Sequence, residues 1–167
     1  VMTYDDSAGA VKKVLLGLLG GSAHFAEKTS GTSRNTTTSP TADPDLVLSS
    51  LAAGVYKVTV LLNVAIASAA GQGIRCGLTG TNASNTRGGQ IANAPGFTQS
   101  LSAFSTITTT AAWNKGSSAA SDMSLSIDAV VVLTGTGTIE LHWAQSSSSG
   151  SNTTVDAGST MVAVRIA

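Results

Sequence analysis

The chain has 167 residues, 42% of them hydrophobic and only 11% charged, with 18 glycines and a formal net charge of zero. One domain of that length buries roughly 70% of the surface its unfolded chain exposes, and the nine basic residues, scattered from Lys12 to Arg165, form no stripe that would grip phosphate. Nucleic acid is therefore not an expected partner; no apolar run approaches the roughly 20 residues of a membrane span, and one cysteine with two histidines excludes an internal disulfide and a Cys/His metal cluster.

Residues 1–21 differ from the rest and are expected to form an attachment segment. Val1-Met2-Thr3-Tyr4-Asp5-Asp6 lacks the basic region and cleavage site of a signal peptide. Val11, Val14, Leu15, Leu18 and Leu19 then fall at i, i+3, i+4, i+7 and i+8, one apolar stripe on a helix running from about Ser7 to Leu19. Asp5, Asp6 and Ser7 suit its N-terminus, and Gly20-Gly21 ends it. So short a helix gains little alone, so its stripe is expected to dock on the body of the protein, a neighbouring subunit or a capsid.

Residues 22–167 read as all-β. Ser22 to Thr29 is a predicted strand, and Thr29 to Thr41 an edge strand or a loop. Asp43-Pro44-Asp45 signals a turn before a strand that begins at Leu46-Val47-Leu48. Ala53-Gly54 turns the chain into Val55 to Ser68, where Tyr56, Val58, Val60, Leu62, Val64 and Ile66 share one face. Lys57, Thr59 and Asn63 lie on the other, but Leu61 and Ala65 interrupt its polarity, so that face is expected to be partly buried too. After a turn at Gly71-Gln72-Gly73, Ile74 to Leu78 alternates again, with Cys76 as a small buried hydrophobe. A long Gly/Asn/Ser loop is predicted over Gly80 to Gly96, then Phe97 to Thr110 with Leu101, Phe104 and Ile107 as anchors, and another turn at Trp113-Asn114-Lys115-Gly116. Met123 to Leu133 reads as a long central strand. Gly137 to Gln145 alternates, breaks into the run Ser146 to Ser151, and the pattern resumes over Val155 to Ile166. Eight to ten strands of this kind fit an antiparallel two-sheet jelly-roll sandwich behind a short N-terminal helix.

Groups that could do chemistry are few. His142 shares the face of Glu140, away from Leu141 and Trp143, and reads as a surface or interface imidazole. No Gly-x-Ser-x-Gly elbow is present. Asp43 and Asp45, two residues apart across a proline, read as turn caps rather than as a metal or acid/base pair. No catalytic, metal or cofactor role is assigned to any residue.

Two stretches resemble a known family. Gly137-Thr138-Ile139-x-Leu141-x-Trp143-Ala144-Gln145, a Ser/Thr/Asn-rich loop, and Val155-x-Ala157-Gly158-Ser159-x-Met161-x-x-x-Arg165-Ile166 resemble the terminal domains of bacteriophage virion proteins found in tail fibres and head decorations. Asp43-Pro44-Asp45-Leu46 followed by Leu51-Ala52-Ala53-Gly54-Val55-Tyr56 resembles the front half of the same domains. The resemblance covers about residues 30–167. It implies a jelly roll of the tumour-necrosis-factor and complement-head type, a homotrimer, and a virion location after synthesis in the host cytoplasm. The expected function is a non-enzymatic capsid decoration or cement protein whose partners are its own copies and the major capsid protein or another virion protein. Gly-X-Y triplets and sustained heptads are absent, which favours a capsid-bound protein if the chain is complete and a fibre if it is an excised tip. The alternative is a receptor-binding tip of a tail fibre or spike, in which Asn82, Asn85, Arg87, Trp113 and Asn152 contact a host-surface glycan and Trp113 stacks on a sugar ring.

Overall fold

The computed structural model describes residues 22–67, 73–93, 101–104, 111–114 and 121–167, with 85–93, 101–104, 111–114 and 121 described through their backbone. The helix expected over Ser7 to Leu19, with Val11, Val14, Leu15, Leu18 and Leu19, lies outside the described residues, as do the turn residues Gly71, Gln72, Lys115 and Gly116. Among the described residues the structure is all-β, without a helix.

The strands are β1 (Ala23–Glu27), β2 (Thr32–Arg34), β3 (Thr41–Leu51), β4 (Gly54–Ile66), β5 (Gly73–Thr79), β6 (Ala83–Asn93), β7 (Leu101–Phe104), β8 (Ala111–Asn114), β9 (Ser121–Leu133), β10 (Gly137–Gln145), β11 (Thr153–Val155) and β12 (Thr160–Arg165). They form two antiparallel sheets. The larger has the order β1-β12-β4-β9-β6-β7, with β11 beside β4 and β2 beside β11; the smaller has the order β3-β10-β5-β8.

The axis of the larger sheet is the ladder between β4 and β9, which pairs thirteen residues from Gly54 opposite Leu133 to Ile66 opposite Ser121. Period-two side chains make this possible. Tyr56, Val58, Val60, Leu62, Val64 and Ile66 all point inward and are buried, as are Met123, Leu125, Ile127, Ala129, Val131 and Leu133 across the ladder. The smaller sheet answers with Leu46, Leu48 and Leu51 from β3, Ile139, Leu141 and Trp143 from β10, and Ile74, Cys76 and Leu78 from β5. Burying each Val, Leu or Ile stabilises by about 1.5–3 kcal/mol, so this shared inner layer supplies the main driving force for folding.

Three expectations need correction. Asp43-Pro44-Asp45 does not interrupt its strand, because β3 runs through it from Thr41 to Leu51. The excess residues form a bulge: Glu140 pairs with Val47 and His142 with Ala42, so five steps on β3 span two on β10. Pro44 is tolerated there because β3 is an edge strand of its sheet. The predicted loop Gly80 to Gly96 is mostly strand β6, which pairs with β9 from Ala83 opposite Leu133 to Asn93 opposite Ser124. Trp113 and Asn114, assigned to a turn, belong to β8 opposite Ile74 and Gly73 of β5. The outer face of β4 is partly buried, as expected: Val55, Thr59 and Ala65 are half-buried, while Lys57, Leu61 and Asn63 are exposed. The stretch Thr29 to Thr41 holds a short edge strand, β2, followed by irregular chain.

Candidate functional site

Between the sheets lies a buried polar cluster built on Lys28 and Asp43. Lys28, just past β1, is anchored by its own backbone, its N–H donating to the Ser159 carbonyl and its carbonyl accepting from the Gly158 N–H, both at 2.9 Å. Its ammonium donates to Asp43 Oδ1 (2.9 Å) and Oδ2 (3.2 Å), Asp45 Oδ2 (2.9 Å) and Thr32 Oγ1 (2.9 Å). The Lys28 and Asp43 side chains have 0% exposure and that of Asp45 36%, so the pair is sealed with one carboxylate reaching solvent. Asp43 Oδ1 also accepts from the Asp45 and Leu46 N–H groups (3.0 and 3.1 Å), a local turn that shapes the bulge, and Oδ2 accepts from Trp143 Nε1 (2.9 Å). Burial by itself would push the Asp43 carboxyl up, but these donors together outweigh it and hold it below the usual carboxylate range. Arg34 of β2 covers the other side of Trp143, its guanidinium 4.1 Å from the ring centroid, and donates to the Trp143, Thr41 and Ala42 carbonyls.

The sequence motifs now have local causes. In Trp143-Ala144-Gln145, the indole serves Asp43, while buried Gln145 organises the following Ser-rich loop by donating to the Ser151 carbonyl (2.7 Å) and accepting from the Ser149 N–H (3.2 Å). In Gly158-Ser159, the glycine adopts a φ of 78°, open to it for lack of a Cβ, and the Ser159 hydroxyl accepts from the Asn63 N–H. The Tyr56 hydroxyl donates to the Ala52 carbonyl (2.8 Å), closing the turn from β3 into β4. The Lys28–Asp43–Trp143 cluster escaped the sequence reading, although a lysine, an arginine and a carboxylate pair in so weakly charged a chain were the available signal. Asp43 does cap a local turn, within β3, and is at the same time the ion-pair partner of Lys28. Among the described residues no group of three or more His, Cys, Asp or Glu side chains could hold a metal ion.

A second feature lies on the outer face of the larger sheet. The ladders align Phe25, Val162, Thr59 and Asp128 in one row, Glu27, Thr160, Leu61 and Ser126 in the next, and Ala23, Val164, Lys57 and Val130 in a third. Leu61 is 54% exposed, Phe25 50% and Val130 39%. Each row also carries one charged side chain, Asp128, Glu27 and Lys57 respectively, and Thr59 donates to Asp128 Oδ1 (2.8 Å). An extended face that exposes large apolar side chains is suited to being covered by protein. Leu61 was visible in the sequence as the residue that broke the polarity of its face.

The residues expected to contact a receptor are divided between two ends of the molecule. Asn82 has a φ of 57° in the turn before β6; its side chain donates to the Thr136 carbonyl (2.7 Å). Asn85 lies in the β6 bulge and Arg87 opposite Val130, both described through backbone. Asn152 sits at the opposite end of β4: its carbonyl accepts from the Ala67 N–H and its Oδ1 from Asn35 Nδ2 (3.3 Å). The thirteen-residue length of β4 separates Asn82 from Asn152 by about 40 Å. Trp113, described through its backbone, shares the Asn152 end, because Ile74 opposite it follows Gly73, whose carbonyl accepts from the Ser146 N–H. His142 Nε2 lies 3.2 Å from Glu140 Oε2 on the outer face of the smaller sheet. Compared with protein-family models and with curated proteins, the sequence finds no match.

Proposed function

We propose that the chain is a non-enzymatic bacteriophage virion protein: a jelly roll that assembles as a homotrimer and binds the head shell as a decoration or cement protein. Strand order supports the jelly roll. From β3 to β5 the chain alternates between the sheets, the β6–β7 pair joins the larger, β8 the smaller, β9 the larger, β10 the smaller, and β11 and β12 the larger, the winding of two Greek keys. The observation that carries the assembly is the outer face of the larger sheet, where the large apolar side chains of Phe25, Leu61 and Val130 are exposed on adjoining rows of the ladder. Three copies meeting through that face bury a repeated patch about a closed axis and leave no growing end. The Val/Leu stripe of residues 1–21 docks on the capsid, and trimers bridging shell subunits resist internal pressure by added buried area. Deleting residues 1–21 is expected to leave a folded β domain that no longer binds undecorated capsids; retained binding refutes the docking role.

A receptor-binding tip is the second reading, supported by the hydroxyl- and amide-rich surface of Asn35, Thr36, Ser148, Ser149 and Asn152, which are joined by mutual hydrogen bonds. Binding of the purified protein to host cells and not to capsids selects it.

A further inference from the structure

We propose that Lys28 and Asp43 condense into an intramolecular isopeptide bond that ties the two sheets together, with Asp45 carrying the proton. The inference stands on the buried cluster and is independent of any virion role.

The reacting groups are already in place. Nζ lies 2.9 and 3.2 Å from the two Asp43 oxygens, which sets it within about 3.5 Å of the carboxyl carbon, the separation of a near-attack arrangement. Both side chains are fully buried, so the ammonium–carboxylate form loses the solvation that keeps such pairs inert in water. Transfer of one proton from Lys28 to Asp43 yields the amine and the acid, the form that reacts. The nitrogen lone pair forms the C–N bond while the carbonyl π pair moves onto Oδ1. There two backbone N–H groups, of Asp45 at 3.0 Å and Leu46 at 3.1 Å, receive the developing charge as an oxyanion hole does.

Asp45 Oδ2, 2.9 Å from Nζ, takes the second proton from nitrogen and delivers it to the Oδ2 hydroxyl of Asp43. That oxygen, which the Trp143 indole N–H holds at 2.9 Å, departs as water with its bonding pair as the carbonyl re-forms. One C–N bond is made, one C–O bond is broken, one water leaves, and Asp45 returns to its starting state. No oxidant, reductant or activated intermediate is required. Asp45 is partly exposed and gives the water a way out, while the sealed interior denies the new amide the solvent that would hydrolyse it. The donors that keep Asp43 ionised at rest make the reactive neutral pair a minor species, so the bond accumulates after folding.

The consequence is mechanical. Lys28 extends from β1 of the larger sheet and Asp43 belongs to β3 of the smaller, so the bond clamps the sandwich covalently in a chain whose single cysteine permits no internal disulfide.

Intact-mass measurement of the purified full chain, held for a week at neutral pH, is the test. The expected mass is lower than the sequence mass by one water, and trypsin should release a branched peptide joining 14–34 to 35–57, with Lys28 uncleaved. A full sequence mass, with cleavage after Lys28 and recovery of peptide 29–34, overturns the proposal. Lys28→Arg keeps the charge but has no primary amine, and is expected to show the full mass; a water loss persisting in it overturns the assignment. Asp45→Asn leaves Lys28 and Asp43 intact and is expected to fold, by circular dichroism, while retaining the full mass at least tenfold longer. Water loss from it at the wild-type rate removes Asp45 from the mechanism.

Discussion

Asp43 receives four donors while buried, from Lys28, Trp143 and two backbone amides, and each partner is expensive to remove because it leaves the others facing an incomplete shell. Trp143→Phe keeps the apolar ring and deletes one donor; a buried acceptor losing a partner costs about 1–3 kcal/mol, so chemical denaturation should report a loss of about 2 kcal/mol. While Lys28 and Asp43 remain an ion pair, as in protein newly folded for the first time, pH adds a second check. The folded carboxyl lies below its unfolded value of about 3.9, so its contribution is fully present above that value and is lost as pH falls through the folded value. Denaturation midpoints should fall from about pH 4 downward, and Asp43→Asn should flatten that fall. Asp156 works in the opposite sense, raised first by burial and then by the charge of Asp122. At the same scale, burial pushes the Cys76 thiol far up, away from the thiolate that reacts. An alkylating reagent at neutral pH should label Cys76 only in denaturant; rapid labelling of the native protein contradicts the buried placement.

Strands whose own side chains pattern them were readable one at a time, and strands recruited by a neighbour's needs were not. Val55 to Ile66, Met123 to Leu133 and Gly137 to Gln145 alternate because one face must enter the core, and that requirement is written residue by residue. Nothing comparable marks β6, whose Asn85, Gly88, Gly89 and Asn93 carry the composition of a loop. It is a strand because β9, paired with β4 on one edge, has a second row of N–H and C=O groups that need partners. The ladder demand of one segment decides the structure of another, which local composition does not encode. Two glycines make a similar non-local point. A Cβ at Gly80 would collide with the Thr138 carbonyl, and one at Gly137 with the Thr81 carbonyl, both backbone atoms that cannot swing aside. Thr81 and Thr138 also exchange side-chain-to-backbone hydrogen bonds at 3.0 and 3.2 Å. Gly80→Ala and Gly137→Ala should therefore each destabilise by about 2 kcal/mol through overpacking, measured as a lower denaturation midpoint, whereas Gly150→Ala, with open space around it, should not.

At the scale of the whole molecule, what a sheet face touches depends on which strands lie side by side, and that order is set by pairings between segments far apart in sequence. Phe25, Leu61 and Val130 belong to β1, β4 and β9, and only the order β1-β12-β4-β9 puts them on one surface. The ladders along β4 and β9 likewise place Asn82 and Asn152 at opposite ends of β4, a separation that only the paired register reveals. A stable interface removes about 800 Å² per partner, and its core is built from apolar side chains with few charges. If copies meet there, folding and association are linked by mass action, and the melting temperature must rise with protein concentration. Leu61→Lys sets a charge on an already exposed position, so the subunit should keep its β-rich circular dichroism. Its sedimentation at micromolar concentration should shift from trimer to monomer, and its melting temperature should stop depending on concentration. A wild-type protein that sediments as a monomer and melts at one temperature over a hundredfold concentration range would overturn assembly through this face.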